Sequence, residues 1–216
     1  MRMRSEENET KNILDYIHSD LWGSPNIPSS LSRCHYFLSM IDSHSKRVWT
    51  YFLKQKDQAF DCFKEWKVQV ETETGKKVKA LRTDNGLEFC NNQFNDFCKQ
   101  CGILRHRTCV ETPQQNGIAE RMNRTILNKV RCMLADSGLK KSFWAEAVST
   151  ACHVINRSPS SAINFKTPME MWYSKPPNLS YLKPFGCLAY VHTKQDKVAP
   201  RALKSVFVGY PAGTKG

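Results

Sequence analysis

No stretch of this 216-residue chain approaches the ~20 consecutive apolar residues that a helix needs to cross a bilayer. Nor does its start, MRMRSEENETKN, contain the apolar segment of a secretory leader. The chain is therefore expected to stay inside a cell with no membrane partner. Acid is scarce: 20 Asp and Glu stand against 32 Lys and Arg, for a net charge of +12. An excess of that size attracts polyanions and speeds their encounter, which makes nucleic acid the expected partner. Disulfide spacing is also missing. The nine cysteines are odd in number and scattered, so they read as reduced thiols. Cys98 and Cys101 have C-x-x-C spacing in FCKQCG, but no second Cys/His pair follows at zinc-ribbon distance, so they read as helical core.

Periodicity shows strands and helices in mixed order. ILDYIHSD (13–20), YFLSMID (36–42) and VWTYFLK (48–54) are rich in β-branched and aromatic residues. Gly, Pro and Ser break the chain after the first, and the short polar SHSKR joins the other two, as in an antiparallel meander. Asp57 can cap a helix with Phe60, Phe63, Trp66 and Val70 on its apolar stripe and Gly75 as its stop. KVKALRTD (77–84) then returns as a strand, the pattern of a parallel β-α-β pairing. Asn91 or Asn92 caps a short helix ending at Gly102, and ILRHRT is a fifth strand. The order predicts an α/β fold with a mixed five-stranded sheet and flanking helices.

In such sheets polar groups gather at the carboxyl ends of strands. Asp20 and Asp84 are expected at two such ends, and Asn85-Gly86 supplies a turn that exposes Asp84. A long helix follows TPQQNG, where Thr112 can cap and Pro113 suits the first turn. Ile118, Met122, Ile126, Val130 and Met133 form its apolar stripe, and Glu120, Arg124, Asn128 and Arg131 line another face. If that helix crosses the sheet edge, Asp20, Asp84 and Glu120 form a carboxylate cluster. Three like charges repel in a partly dry site and need a cation. Oxygen donors suit Mg²⁺ or Mn²⁺, and two such ions would serve an in-line phosphoryl transfer.

Asp42 at the end of YFLSMID competes with Asp20 for the first position, although it reads better as part of a turn. His18 reads as a packed strand histidine rather than a ligand.

IHSDLWG, YFLSMID, LRTDNGLEF, TPQQNGIAERMNRT and FWAEAV, in that order, resemble segments of copia-type LTR retrotransposon integrases, within the retroviral integrase superfamily. Asp84 and Glu120 are separated by 35 residues (120 − 84 − 1), as in that superfamily's D,D-35-E pattern. The resemblance implies an RNase H-like fold and an integrase that trims element DNA ends and joins them to target DNA. Asp20, Asp84 and Glu120 would be both catalytic residues and ligands of two Mg²⁺ or Mn²⁺ ions. Arg121, Asn123 and Arg124 in the ERxNR segment, with Arg131, would hold DNA phosphates, or else form a solvated face. Gln114, Gln115 and Asn116 would make a loop approaching DNA, or simply satisfy the helix start. The 35-residue spacing and ERxNR disfavour an RNase H acting on hybrids.

Partners implied by the resemblance are double-stranded DNA and further copies of the chain, with action in the nucleus and otherwise residence in a cytoplasmic particle. Residues 1–12 read as a polar tail, 13–157 as the catalytic core and 158–180 as a helical linker. The core's last helix, SFWAEAVSTACHVINRSP, would be capped by Ser142, and the linker's by Thr167 with Pro168 at its first position. Residues 181–216, with strands FGCLAYVHT and SVFVGY, resemble the start of an SH3-like β-domain left incomplete. The family's His-His-Cys-Cys zinc module is not found upstream, and Glu111 is an unusual carboxylate just before TPQQNG. A fragment or relic of a polyprotein that binds nucleic acid without catalysis is the alternative.

Overall fold

In a computed structural model the described residues are 10–23, 28–107, 116–192 and 202–211. A five-stranded mixed sheet forms the centre, in the order β3-β2-β1-β4-β5. β1 (Ile17–Gly23), β2 (Tyr36–Asp42) and β3 (Val48–Leu53) are antiparallel neighbours. β4 (Ala80–Thr83) pairs parallel with β1, and β5 (Leu104–Arg107) parallel with β4. The sheet is the one that the sequence predicts, with shifted edges. β1 begins at Ile17 rather than residue 13 because Asn12 N–H donates to the Asp15 carboxylate and Leu14 takes a φ of 67°, which makes a turn.

Both sheet faces are covered, which explains the nearly continuous apolar runs. Along β2, Leu38 and Met40 join one core while Phe37 and Ile41 join the other. The first core is roofed by α1 (Ala59–Thr74) through Phe60, Phe63, Trp66 and Val70, and by α2 (Asn92–Gln100) through Phe94 and Cys98. The second is roofed by α3 (Gly117–Ser137) through Ala119, Ile126 and Val130, and by α4 (Trp144–Ile155) through Trp144, Ala147, Val148 and Ala151.

Helix ends follow the expected chemistry in part. Asn91 Oδ1 accepts from Phe94 N–H at 2.7 Å and caps α2, and Gly75 closes α1 in the left-handed region at φ 66°. Asp57 does not cap α1. It lies in a 3₁₀ turn, Lys56–Gln58, whose Gln58 amide oxygen takes the N–H groups of Lys54 and Gln55. Ser142 is likewise inside a 3₁₀ turn, Lys141–Phe143, that precedes α4. Thr112 and Pro113, expected to open α3, lie outside the described residues; within them α3 begins at Gly117. Cys98 is buried as expected, whereas Cys101 is exposed at the end of α2.

After α4, α5 (Pro168–Tyr173) is capped by Thr167, whose hydroxyl accepts from Glu170 N–H at 3.1 Å. Arg47 fastens it to the sheet edge, its guanidinium 4.7 Å from the Trp49 ring and 4.8 Å from that of Trp172. β6 (Leu188–His192) and β7 (Ala202–Val206) form a separate antiparallel ribbon, the second strand starting three residues before SVFVGY. Among the described residues no helix is long and apolar enough to cross a membrane.

Candidate active site

Asp84 follows β4 directly, where the parallel ladder ends and the backbone must turn. Its Oδ1 accepts from Gly86 N–H at 3.1 Å, so the aspartate shapes the Asn-Gly turn and sits half-buried at its root. Asp20 lies on the neighbouring strand, inside β1 rather than at its end, because β1 continues to Gly23. Its backbone pairs with Ser39, whose hydroxyl donates to the Asp20 carbonyl at 3.2 Å. Glu120 is exposed in the first turn of α3.

Asp20 feels the other two. Burial above all, then the charge of Asp84 and, more weakly, that of Glu120, push the Asp20 carboxyl up to about 6; the Asn123 amide and Leu21 N–H work in the opposite direction. Among the described residues, however, no three His, Cys, Asp or Glu side chains are gathered as a metal-holding group. Asp84 and Glu120 are thus within electrostatic reach of Asp20 without the three being drawn together. Their oxygen chemistry fits a hard divalent cation, which would relieve the repulsion at Asp20.

Asp42 takes no part. It is fully buried near the opposite end of the β1–β2 ladder, where Oδ1 accepts from Leu14 N–H at 2.8 Å and Oδ2 from Ser45 N–H and Oγ, both at 2.7 Å. His18 is 5% exposed and packed on Tyr16, with ring centroids 5.0 Å apart. Burial, with help from the Arg82 and Lys46 charges, holds it down to about 3.

The expected DNA contacts divide. Arg121, Arg124 and Arg131 are exposed on α3, and Arg121 Nε donates to Gly117 O at 3.0 Å. Asn123 is not on that surface: it is 3% exposed and its Nδ2 donates to Asp20 Oδ2 at 2.8 Å. Its position on α3, beside Ala119 and Ile126, points it at the sheet. Asn116 is also turned inward, 1% exposed, with neither amide atom hydrogen-bonded. Gln114, Gln115 and Glu111 lie outside the described residues.

One residue of consequence goes unsignalled in the sequence. Arg105 on β5 donates through one terminal nitrogen to Thr83 Oγ1 and to Phe89 O, both at 3.1 Å, with its guanidinium 4.4 Å from the Phe94 ring centroid. It thereby brackets the Asp84 turn from both sides. A lone basic residue in LRHR carries no mark that distinguishes it from its neighbours.

Residues 15–113 match the integrase core domain family model, and residues 187–216 match the retroviral polymerase SH3-like domain. The retrovirus-related Pol polyprotein of transposon TNT 1-94 from Nicotiana tabacum is 46% identical over 202 residues, covering 92% of this chain. The chain spans 15% of that polyprotein's length. Among solved structures, the simian T-cell lymphotropic virus intasome in complex with PP2A regulatory subunit B56 gamma aligns over 92% of this chain and 69% of its own, at a TM-score of 0.62 and 17% identity. The HTLV-2 integrase catalytic core domain in complex with magnesium aligns over 74% of this chain and 97% of its own, at a TM-score of 0.55 and 20% identity. These two likenesses are of fold.

Proposed function

The chain belongs to the integrase core family of copia-type retrotransposon Pol polyproteins, and on that premise we propose that it processes DNA 3′ ends and joins them to target DNA, using Asp20, Asp84 and Glu120. The observation that carries the proposal is the placement of half-buried Asp20 on β1 next to Asp84 at the end of the parallel neighbour β4, under the helix that carries Glu120 and whose Asn123 binds Asp20. An aspartate raised first by burial and then by two like charges lowers the stability of the fold, and such arrangements belong to sites that receive a cation.

The three carboxylates would hold Mg²⁺ or Mn²⁺. Two ions there would polarise the scissile phosphate and raise the nucleophilicity of a water or 3′-hydroxyl. The magnesium complex of the HTLV-2 core supports that ion. The chain's own residues supply position. Asn123 fixes one oxygen of Asp20, Gly86 N–H fixes one oxygen of Asp84, and Arg105 holds the turn between them and α2. Arg121 and Arg124, beside Glu120 on the exposed face, would contact DNA phosphates and set register without reading sequence.

The same proposal assigns a tail to 1–12, the catalytic core to 13–157, a helical linker to 158–180 and a β-domain to the rest. It makes duplex DNA the substrate and several copies of the chain the working assembly, for which the intasome and the trimeric HTLV-2 core give support. Its place of action would be the nucleus.

The test is cleavage and joining of a branched DNA oligonucleotide with Mn²⁺ or Mg²⁺, comparing the unmodified chain with Asp84→Asn and Glu120→Gln. Metal-dependent products lost in both variants support the proposal. A folded, DNA-binding chain that yields no product sinks autonomous catalysis and favours a binding fragment.

A further inference from the structure

One row of side chains crosses three strands beside the carboxylates. In the parallel register of β1 and β4, His18 stands opposite Arg82; in that of β4 and β5, Arg82 stands opposite His106. Partners in a ladder project to the same face, at the ~4.8 Å spacing of adjacent strands. Asp20 is two residues beyond His18 and Asp84 two beyond Arg82, so by strand alternation the carboxylates form a second row about 6.6 Å further along. A nitrogen-rich row therefore runs alongside an anionic one.

Tyr16, two residues before His18, completes the group. Its hydroxyl is 2.6 Å from His106 Nδ1, and its ring lies 5.6 Å from the Arg82 guanidinium. Arg82 lies within hydrogen-bonding reach of the Tyr16 hydroxyl, whose own proton can go to His106 Nδ1. That arrangement puts the ring proton on Nε2, where it can serve an incoming acceptor. Tyr16 and His18 are 7% and 5% exposed and form a floor, while Arg82 and His106 are half-buried above them. His18 Nδ1 is buried with no hydrogen-bond partner, a polar atom that an apolar side chain would replace at no loss if the row served packing alone. α3, which roofs this face, packs on β1 and β2.

A guanidinium and an outward imidazole N–H over a phenol suit an oxyanion with several acceptor oxygens. We infer that Tyr16, His18, Arg82 and His106 form a subsite for a backbone phosphate of the DNA strand whose neighbouring phosphate lies at Asp20 and Asp84. The inference rests on the proposed function for its substrate. The separation of the two rows is close to the repeat of phosphates along a strand, so one strand can engage both. The DNA strand would then run along the direction of β1 and β4, from the row at His18 and Arg82 to that at Asp20 and Asp84, with Arg82 fixing which phosphate reaches the carboxylates.

The test is binding of a fluorescent duplex oligonucleotide to the full chain in EDTA, over a range of salt, with no catalysis required. Arg82→Gln is expected to weaken binding 3- to 10-fold and to lower the log–log salt slope by about one unit, as for one lost phosphate contact. His106→Gln weakens binding without changing the slope, because burial and the Arg82 charge hold its ring below its usual range and thus neutral above pH 7. Arg82→Lys restores the slope, and it carries the test should Arg82→Gln fail to fold. Lys99→Gln, an exposed change on α2 across the sheet, is the reference.

If Arg82→Gln and His106→Gln, with melting temperatures like the parent's, match Lys99→Gln in affinity and slope, the subsite does not exist. If inorganic phosphate protects the parent but not Arg82→Gln from unfolding, while duplex affinity is the same in both, the row takes a free anion and the inference is overturned. Absence of cleavage by a parent chain whose binding depends on Arg82 would defeat the catalytic proposal and leave the subsite standing.

Discussion

Asn123 Nδ2 donates to Asp20 Oδ2 at 2.8 Å, tying α3 to β1 across 103 residues of chain. The bond orients the carboxylate and favours its ionised form. Asn123→Ala should therefore raise the Asp20 titration above its present value of about 6. It should also weaken Mn²⁺ binding by roughly tenfold, the usual scale for losing a group that orients a ligand. Carboxyl NMR titration and calorimetry check the two effects. Unchanged titration of Asp20 would show that the amide contributes nothing to the site.

Asp20 has a folded pKa of about 6 against 3.8 for an ordinary aspartate. The folded chain thus binds more protons than the unfolded one between those values, and this group's contribution to stability falls as pH rises through the window. Asp20→Asn removes the charge while keeping an acceptor for Asn123. Metal-free stability at pH 8 should rise by about 1–2 kcal/mol, less than the full shift implies because the site is partly solvated. At pH 4 the gain should vanish. Urea unfolding in EDTA at both values measures it, and a variant less stable at pH 8 would show that Asp20 is structural.

Arg105 reaches Thr83 and Phe89 on either side of the Asp84 turn while stacking on Phe94. Arg105→Met keeps much of the bulk but orphans both acceptors, at a cost of about 2–3 kcal/mol. Amide exchange should accelerate chiefly over residues 84–89. Arg105→Lys should recover little, since an ammonium cannot stack or fork as a guanidinium does. Exchange that speeds up evenly over the whole sheet would argue against a local bracket.

Asp42 offers the opposite case. Its three hydrogen bonds hold the turn after β2 and the residue Leu14 before β1. Asp42→Ala should cost about 2–4 kcal/mol and leave divalent-cation affinity as it was. A loss of that affinity in a folded variant would reopen the choice between Asp42 and Asp20.

The sheet was legible because its strands are long runs of β-branched and aromatic residues buried on both faces, as YFLSMID shows with Leu38 and Phe37 in opposite cores. Capping was legible where a side chain meets its own local N–H, as at Asn91 and Thr167. It was not at Asp57 and Ser142, since 3₁₀ turns before α1 and α4 displace the helix starts. Asn123 shared a segment with the arginines of α3 and was grouped with them. Only the packing of α3 on β1 shows that its amide faces Asp20. Likewise the row His18–Arg82–His106 depends on strand register, which links residues far apart in sequence.

In the proposed mechanism Asp20, Asp84 and Glu120 act together on a divalent cation. Mn²⁺ binding to the full chain, followed by the electron paramagnetic resonance of the free ion, tests it most directly. Asp20→Asn, Asp84→Asn and Glu120→Gln should each weaken binding at least tenfold, with Asp42→Asn like the parent. Equal Mn²⁺ affinity in the parent and the three site variants would show that these carboxylates do not hold the ion.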